Sequence, residues 1–445
     1  MSDADAVVPR STTSSFTVEH EKNASPPKEP LSPGHGESAL PEDKVEEAVE
    51  NIEDDWEHDP ANARNWSWGR KWTAVGIVSL YTFVSPLASS MMAPGLGDVA
   101  IKYNIHSTSI IALTLSIYLL SFALGPLVLA PLSEMYGRTW ILHIGNLFSI
   151  AFTLGCAFAP NTGALIGFRF LAGLSGSAPI ACGAGSVGDL FSERERASAM
   201  AVYSLGPLIG PVIGPIAGGF IAQTIGIKWV FICISILCGF AAAIGIPLLK
   251  ETYAPVIRLR RTKNDPEALA KITAVANVHQ NKAAFLWENL KRPLIMLSRS
   301  FICFILSLYM AFLYGIYYLM FATFANFFHK TYGFGPGIGG LAYLGLGIGF
   351  FLATIFGAKT ADQLADKNGG QGKPEMRIPA LFFGSFFVPI GLFWYGWSAQ
   401  AKLHWIMPII GSGIFGFGMM SSFLPIQLYL VDAFRFAASA TSAAS

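Results

Sequence analysis

Long apolar segments alternate with short polar ones along this chain, from about residue 72 to about residue 424. A helix needs about 20 consecutive apolar residues to cross the hydrocarbon core of a bilayer, and this pattern supplies such segments ten times. Glycine and proline within them are tolerated in membrane helices. The pattern predicts an all-α membrane protein. Its predicted crossings are Trp72–Ala93, Thr108–Ala130, Trp140–Ala159, Ala164–Ser186, Ala197–Gln223, Trp229–Leu249, Ser298–Asn326, Ile338–Ala358, Ile378–Trp397 and Leu403–Leu424.

Composition supports a membrane protein, because 52% of the residues are hydrophobic and only 13% are charged. The charges fill the first seventy residues and a few loops. We therefore expect a disordered cytoplasmic N-terminus over 1–65, a six-helix half over 66–249, a cytoplasmic central loop over 250–297 and an incomplete second half over 298–445.

Basic residues are distributed unevenly between the two sides of the predicted bundle. If the N-terminus is cytoplasmic, the loops on the other side carry only Lys102, Lys228, Lys330 and Lys402. Since positive charge is retained in the cytoplasm, we expect a multi-pass protein of the cell membrane with a cytoplasmic N-terminus.

Several classes of function lack support in the sequence. There is no basic arm for nucleic acid, no nucleotide-binding loop, no nucleophile motif and no metal-ligand spacing. We therefore expect no enzyme activity, no cofactor and no metal. We interpret the five cysteines as small core hydrophobes; they are Cys156, Cys182, Cys233, Cys238 and Cys303.

The loop after the second crossing reads APLSEMYGR. Pro131 and Gly137 predict a tight turn, and Glu134 and Arg138 place opposite charges where they could latch one state of a moving bundle. Asp189, at the end of the fourth crossing, is expected to pair with charges around Arg138. The alternative is a loop that only adds solubility.

The fifth crossing contains GPLIGPVIGPIAGG, with Gly-Pro pairs at four-residue spacing. This spacing puts glycines on one helix face, where another backbone can approach closely, and the prolines bend the helix. We expect the face to meet the eighth crossing around Gly345, Gly347 and Gly349. A purely structural packing site is the alternative.

Arg169 lies within the fourth crossing, where an unpaired arginine costs at least about 2.5 kcal/mol. A functional role is the default for such a residue, and a side chain that snorkels to the outer interface is the alternative.

The seventh crossing is rich in aromatic residues, namely Tyr309, Tyr314, Tyr317, Tyr318 and Phe321. They suit an apolar, aromatic-lined substrate cavity, although lipid or helix packing would explain them equally. His143 and His404 are expected to be solvated near the interfaces. The sequence shows no carboxylate deep within a crossing.

Together these features resemble the major facilitator superfamily, and in particular the fungal drug:proton antiporters of its twelve-helix class. The APLSEMYGR loop matches the superfamily's loop after helix 2, and Arg169 falls where the family keeps a helix 4 arginine. The stretches DPANARNW, ETYAP, LYMAFLYGIYYLMF and YLVDAF are also similar. The antiporter motif of helix 5 is matched by Gly210, Gly214, Pro215, Gly218 and Gly219.

The resemblance implies two pseudo-symmetric halves and alternating access, with helices 1, 4, 7 and 10 around the cavity. It implies export of a small amphipathic organic molecule in exchange for a proton, with the bilayer as the other partner. Because the chain ends at Ser445, we expect the family's last two helices to be missing. The alternatives are a proton-coupled uptake carrier and a non-transporting truncated membrane protein.

Overall fold

A computed structural model describes residues 56, 58–191, 195–261, 287, 290–291, 295–367 and 378–433. Within these residues all regular secondary structure is helical, and ten helices are long and apolar enough to cross a membrane. The predicted number of crossings is therefore confirmed. Most of the N-terminal segment expected to be disordered, 1–65, lies outside the described residues, as do most of the central loop and the end of the chain. Within that segment, Ala63–Asn65 form a 3-10 helix.

The crossings, numbered 1 to 10, differ from the predicted segments by up to nine residues at their ends. Crossing 1 is followed by a 3-10 turn at Ala93–Gly95 and a helix at Leu96–Lys102. Further short helices are Ala63–Asn65, Ala254–Arg261 and Pro336–Leu341. The ten crossings are Trp68–Ser90, Thr108–Tyr136, Arg138–Ala157, Thr162–Gly176 continued by Ala178–Leu190, Arg196–Ile225, Ile227–Leu248, Phe301–Tyr332, Leu344–Lys367, Ile378–Gln400 and Ile406–Ala433.

Two groups of crossings pack in corresponding ways. Crossing 4 packs against crossings 2 and 3, and crossing 10 packs against crossings 8 and 9. In both groups glycines let backbones approach closely, since Gly173 faces the backbone of Tyr118 and Gly349 faces that of Gly413. This repeated arrangement agrees with the expected pseudo-symmetric halves.

Single glycines make the sharp turns between neighbouring crossings. Gly137 has φ +104° between crossings 2 and 3, and Gly226 has φ +94° between crossings 5 and 6. Residues that carry a side chain rarely adopt such positive φ angles. Glycine at these two positions therefore allows one helix to end and the next to begin immediately. Pro131 lies inside crossing 2, so the prediction that it helps to form the turn is wrong.

The exterior of the bundle carries many large apolar side chains, as a lipid-facing surface requires. Phe382 is 70% exposed and Phe386 is 68% exposed on crossing 9. Of the five cysteines, Cys233 is half-buried and the others are buried, and all are free thiols. The interpretation of the cysteines as core residues is confirmed for the four buried ones.

Candidate functional site

An ion pair joins the start of crossing 3 to the end of crossing 4. Arg138 Nε lies 2.6 Å from Asp189 Oδ2, so the expected pairing of Asp189 is confirmed. The Thr252 hydroxyl donates to the same carboxylate oxygen at 3.3 Å. The Arg138 guanidinium also lies over the Tyr253 ring, 5.1 Å from its centroid.

Glu251, which follows crossing 6, is also bonded to the start of crossing 3. Its carboxylate accepts hydrogen bonds from the backbone N–H groups of Arg138 at 3.0 Å and Thr139 at 3.3 Å. The first N–H groups of a helix have no intrahelical partner, and a carboxylate there is also favoured by the helix dipole. Glu251 therefore caps crossing 3. We call Arg138, Asp189, Glu251, Thr252 and Tyr253 the Arg138 cluster.

Two glycines leave room for this cluster. A Cβ atom added at Gly185 would collide with the Arg138 guanidinium, and one added at Gly137 would collide with the Glu251 carboxylate. The cluster is thus packed too closely to accept even a methyl group at either position without moving a charged side chain.

Arg169 is 2% exposed, so it does not snorkel to the interface. Its guanidinium donates to three backbone carbonyls, those of Ala88 at 3.1 Å, Ser89 at 3.5 Å and Thr114 at 3.3 Å. Crossing 1 ends at Ser90, so the first two carbonyls belong to its last turn, where intrahelical donors are lacking. Arg169 thereby holds crossings 1, 2 and 4 together.

Aromatic rings surround this arginine and extend into the other half of the protein. The Arg169 guanidinium lies 4.8 Å from the centroid of the Tyr118 ring. Tyr318 of crossing 7 interacts with the side chain of Ser89. The end of crossing 1 is therefore in contact with both Arg169 and an aromatic residue of the second half.

The structure gives the five aromatic residues of crossing 7 different surroundings. Tyr317 and Phe321 are buried, with ring centroids 4.8 Å apart. The Tyr309 hydroxyl donates to Ser385 at 2.8 Å, and Tyr314 packs against Tyr318. Among the described residues the buried Tyr317 hydroxyl has no hydrogen-bond partner, which is rare for a buried polar group.

The glycine face of crossing 5 packs against crossing 1. A Cβ atom at Gly206 would lie 2.9 Å from the Phe83 nitrogen, and one at Gly210 would lie 3.0 Å from the Leu87 nitrogen. At Gly218 it would collide with the Met91 carbonyl. The prediction that this face meets crossing 8 is wrong, because close backbone packing within the first half occupies it.

Crossing 5 reaches the second half through a neighbouring face that includes Pro215 and Gly219 of the same motif, and the backbone of Pro215 lies against Gly340. Val212 contacts Gly347, and Gly219 lies against the backbone of Pro336. Gly345 and Gly349 instead face crossing 10. Only Gly347 of the three expected glycines therefore contacts crossing 5.

A polar contact joins the two halves at the end opposite the Arg138 cluster. The Gln223 side-chain oxygen accepts a hydrogen bond from the buried Gly337 N–H at 2.9 Å. Gly337 lies in the first turn of Pro336–Leu341, whose N-cap residue Gly335 provides no side-chain cap. Gln223 thus caps this short helix from crossing 5, a role that no local sequence pattern indicates.

The two histidines behave differently from each other. His404 is exposed, as expected. The prediction for His143 is wrong, because its Nδ1 atom is hydrogen-bonded to the Tyr81 hydroxyl at 3.1 Å and its Nε2 atom is buried. A tyrosine on the facing crossing 1 therefore replaces solvent as its partner.

Comparisons with known proteins agree with this fold. The model of the Major Facilitator Superfamily matches residues 78–445. The MFS-type transporter penM of Penicillium rubens is 44% identical over 399 residues, which cover 87% of this chain and 78% of that protein. The efflux pump radE of Floropilus chiversii is 41% identical over 440 residues, covering 96% and 81% respectively.

A solved structure shares the fold at low sequence identity. The xylose transporter XylE from E. coli, in a partially occluded inward open conformation, superposes with a TM-score of 0.64 at 14% identity. The match covers 84% of this chain and 88% of that one.

Proposed function

The chain belongs to the major facilitator superfamily, and on that premise we propose that it exports small amphipathic organic molecules in exchange for protons. Family membership makes it a multi-pass membrane transporter and not an enzyme. Export is supported by the relative named as an efflux pump, which is 41% identical over 96% of the chain.

The observation that carries the proposal is the placement of Arg169. Its guanidinium is held by carbonyls of the last turn of crossing 1, and that turn also meets Tyr318 of the second half. A change at Arg169 would therefore be felt by crossings 1, 4 and 7 together. Since arginine stays protonated, we propose that Arg169 couples movement to binding while another group carries the proton.

The aromatic residues of crossing 7 suit an amphipathic substrate. Tyr314, Tyr317 and Tyr318 pack together as one aromatic group, and aromatic faces bind apolar molecules and organic cations. The unpartnered Tyr317 hydroxyl could receive a polar group of a substrate. We propose that Tyr309 and Phe321 shape this region through their packing rather than through direct contact.

Alternating access needs a bundle that closes at either end in turn. We propose that residues 66–249 and 298–445 form the two moving halves and that the Arg138 cluster, with Glu134 and Gly137, controls the cytoplasmic end. The glycines and prolines of crossing 5 form a close seam with crossing 1, which keeps the first half rigid as it moves. At the other end, Gln223 and Gly219 join the halves.

Transport by the purified chain in sealed vesicles tests the direction of coupling. The substrates should be permanently charged or neutral dyes, because these are not trapped by pH alone, and the membrane potential should be clamped. Proton antiport predicts accumulation when the vesicle interior is acidic, and a protonophore should abolish it. Accumulation only in vesicles with an alkaline interior would support uptake with protons instead. If no dye in the panel moves under either gradient, the proposal fails.

A further inference from the structure

A second feature lies at the same end of the bundle as the Arg138 cluster. It is an open cavity of about 340 Å³ whose lining includes four cationic side chains and one carboxylate. The residues that matter here are Trp66, Arg70, Lys250, Glu251, Arg260 and Arg261. The excess of positive charge indicates that the cavity suits an anion.

Each arginine of the cavity has a partner within the protein. The Arg70 guanidinium stacks over the Trp66 ring, 3.8 Å from the centroid. Stacking occupies the faces of a guanidinium and leaves its in-plane N–H groups available for an anion. Arg260 donates to the Tyr136 carbonyl at 3.1 Å, and Arg261 donates to Asp59 at 2.7 Å. Arginines positioned in this way lose less conformational entropy when they bind.

The cavity opens at the depth of lipid headgroups. Trp68 begins crossing 1 and is 75% exposed, as is typical of an aromatic residue at a membrane interface. Lys250 lies two residues beyond the end of crossing 6 at Leu248. The helix Ala254–Arg261 buries Val256 and exposes its terminal arginines, so it is suited to lie along the membrane surface.

We propose that this cavity binds the phosphate headgroup of an anionic phospholipid of the cytoplasmic leaflet. Arginine forks pair with phosphate oxygens through two hydrogen bonds, and basic pockets on the cytoplasmic side of membrane helices bind such headgroups. The proposal rests on the proposed function only for the assignment of this end to the cytoplasm.

Binding here would bear on transport through Glu251. This residue lines the cavity, and its carboxylate caps crossing 3 next to the Arg138–Asp189 ion pair. A bound phosphate would place negative charge next to the Glu251 carboxylate, so the lipid would alter the balance between states of the Arg138 cluster.

Native mass spectrometry of the full chain in detergent tests the binding directly. Phosphatidylinositol and phosphatidylcholine with the same acyl chains are the probes. We expect wild-type protein to retain phosphatidylinositol at least about tenfold more tightly than phosphatidylcholine, because several basic side chains attract the anionic headgroup and each adds to its binding. Combining Arg70→Gln, Lys250→Gln and Arg260→Gln should remove most of this preference.

The matched control removes the same charge from the opposite end of the bundle, by Lys102→Gln, Lys330→Gln and Lys402→Gln, and should leave the preference unchanged. Equal retention of both lipids by wild-type protein would overturn the proposal, whatever the variants do. So would an equal loss in the control variant. Full displacement by inorganic phosphate at the lipid concentration would indicate a site for soluble phosphate instead.

The variants must elute as single species and unfold at the wild-type temperature. If the triple variant does not fold, the exposed Lys250→Gln alone should lower the preference about threefold, and no change would overturn the proposal. Because the assay measures binding without transport, a chain that fails to move any dye can still bind the lipid.

Discussion

The Glu251 carboxylate accepts a hydrogen bond from the backbone N–H of Arg138, 113 positions earlier in the chain. The same arginine pairs with Asp189 through its side chain. Crossings 3 and 4 and the segment after crossing 6 therefore meet at one residue. A change in any of them that moves Arg138 must break a charge-assisted hydrogen bond.

The first prediction concerns Glu251→Gln. The two carboxylate oxygens accept from the backbone N–H groups of Arg138 and Thr139. In glutamine an NH₂ group replaces one of these oxygens and cannot accept, so one of the two hydrogen bonds is lost. Hydrogen bonds that involve a charged group contribute about 1.5–3 kcal/mol, and we expect the initial rate of dye transport to fall about tenfold. The measurement is transport per correctly inserted molecule in vesicles. The exposed Glu195→Gln carries the same change of charge and should transport normally; an equal loss in both variants would contradict a specific role for the cap.

The second prediction uses Gly185→Ala. The added methyl group would collide with the Arg138 guanidinium and push it away from Asp189. We expect transport to fall severalfold while expression is retained. Gly167→Ala lies in the same crossing, where a Cβ atom would meet nothing within 4 Å, and should behave like wild-type protein. Normal transport by Gly185→Ala would show that the ion pair is not needed.

The ten crossings could be predicted from the sequence because the thickness of the bilayer fixes how long an apolar segment must be. The pairing of Arg138 with Asp189 could also be expected, since both stand at the same end of adjacent crossings. It was harder to predict which helix packs against the glycine face of crossing 5. Four-residue spacing shows that crossing 5 has a glycine face, but it does not show whether crossing 1 or crossing 8 covers that face.

The helix caps supplied by Glu251 and Gln223 were beyond sequence reasoning. Local caps are recognisable because the side chain precedes the helix by a residue or two. Here the capping side chains are 113 and 114 residues away from the N–H groups that they accept from. Only the tertiary packing brings them together, so no local pattern marks them.

The third prediction concerns Arg169→Lys. Three carbonyls on two helices accept from the guanidinium, and a single ammonium group on a flexible stem cannot match that planar arrangement. We expect at least about a tenfold loss of proton-driven transport, equivalent to about 1.4 kcal/mol, with less effect on membrane insertion. The exposed Arg64→Lys is the matched control. Wild-type transport by inserted Arg169→Lys and Arg169→Ala would exclude a coupling role.

The fourth prediction tests the seam between crossings 1 and 5. Gly218→Leu would drive a side chain into the Met91 backbone, which must separate the two helices. We expect lower thermal stability and loss of transport. Gly239→Leu places the same side chain in crossing 6, where a Cβ atom meets nothing within 4 Å, and should be tolerated. Similar unfolding temperatures for the two variants would argue against close packing at Gly218.

The last prediction concerns the contact between Gln223 and Gly337. Gln223→Leu removes the acceptor for a buried N–H group, which should destabilise the closed seam between the halves by about 1 kcal/mol. That penalty would raise the population open at this end about fivefold. Gln223→Glu keeps an acceptor and adds a charge that the start of a helix favours, so it should preserve the seam.

Spin labels on Ile225→Cys and Lys330→Cys, in a chain with Cys233→Ser, would report the separation of the two halves at this end. The leucine variant should shift the distance distribution toward longer values, and the glutamate variant should not. The exposed Gln400→Leu, which lies at the end of crossing 9, controls for a general effect of replacing glutamine. Identical distributions in all variants would show that this hydrogen bond does not hold the seam closed, and that the close contact of Gly219 with Pro336 is sufficient.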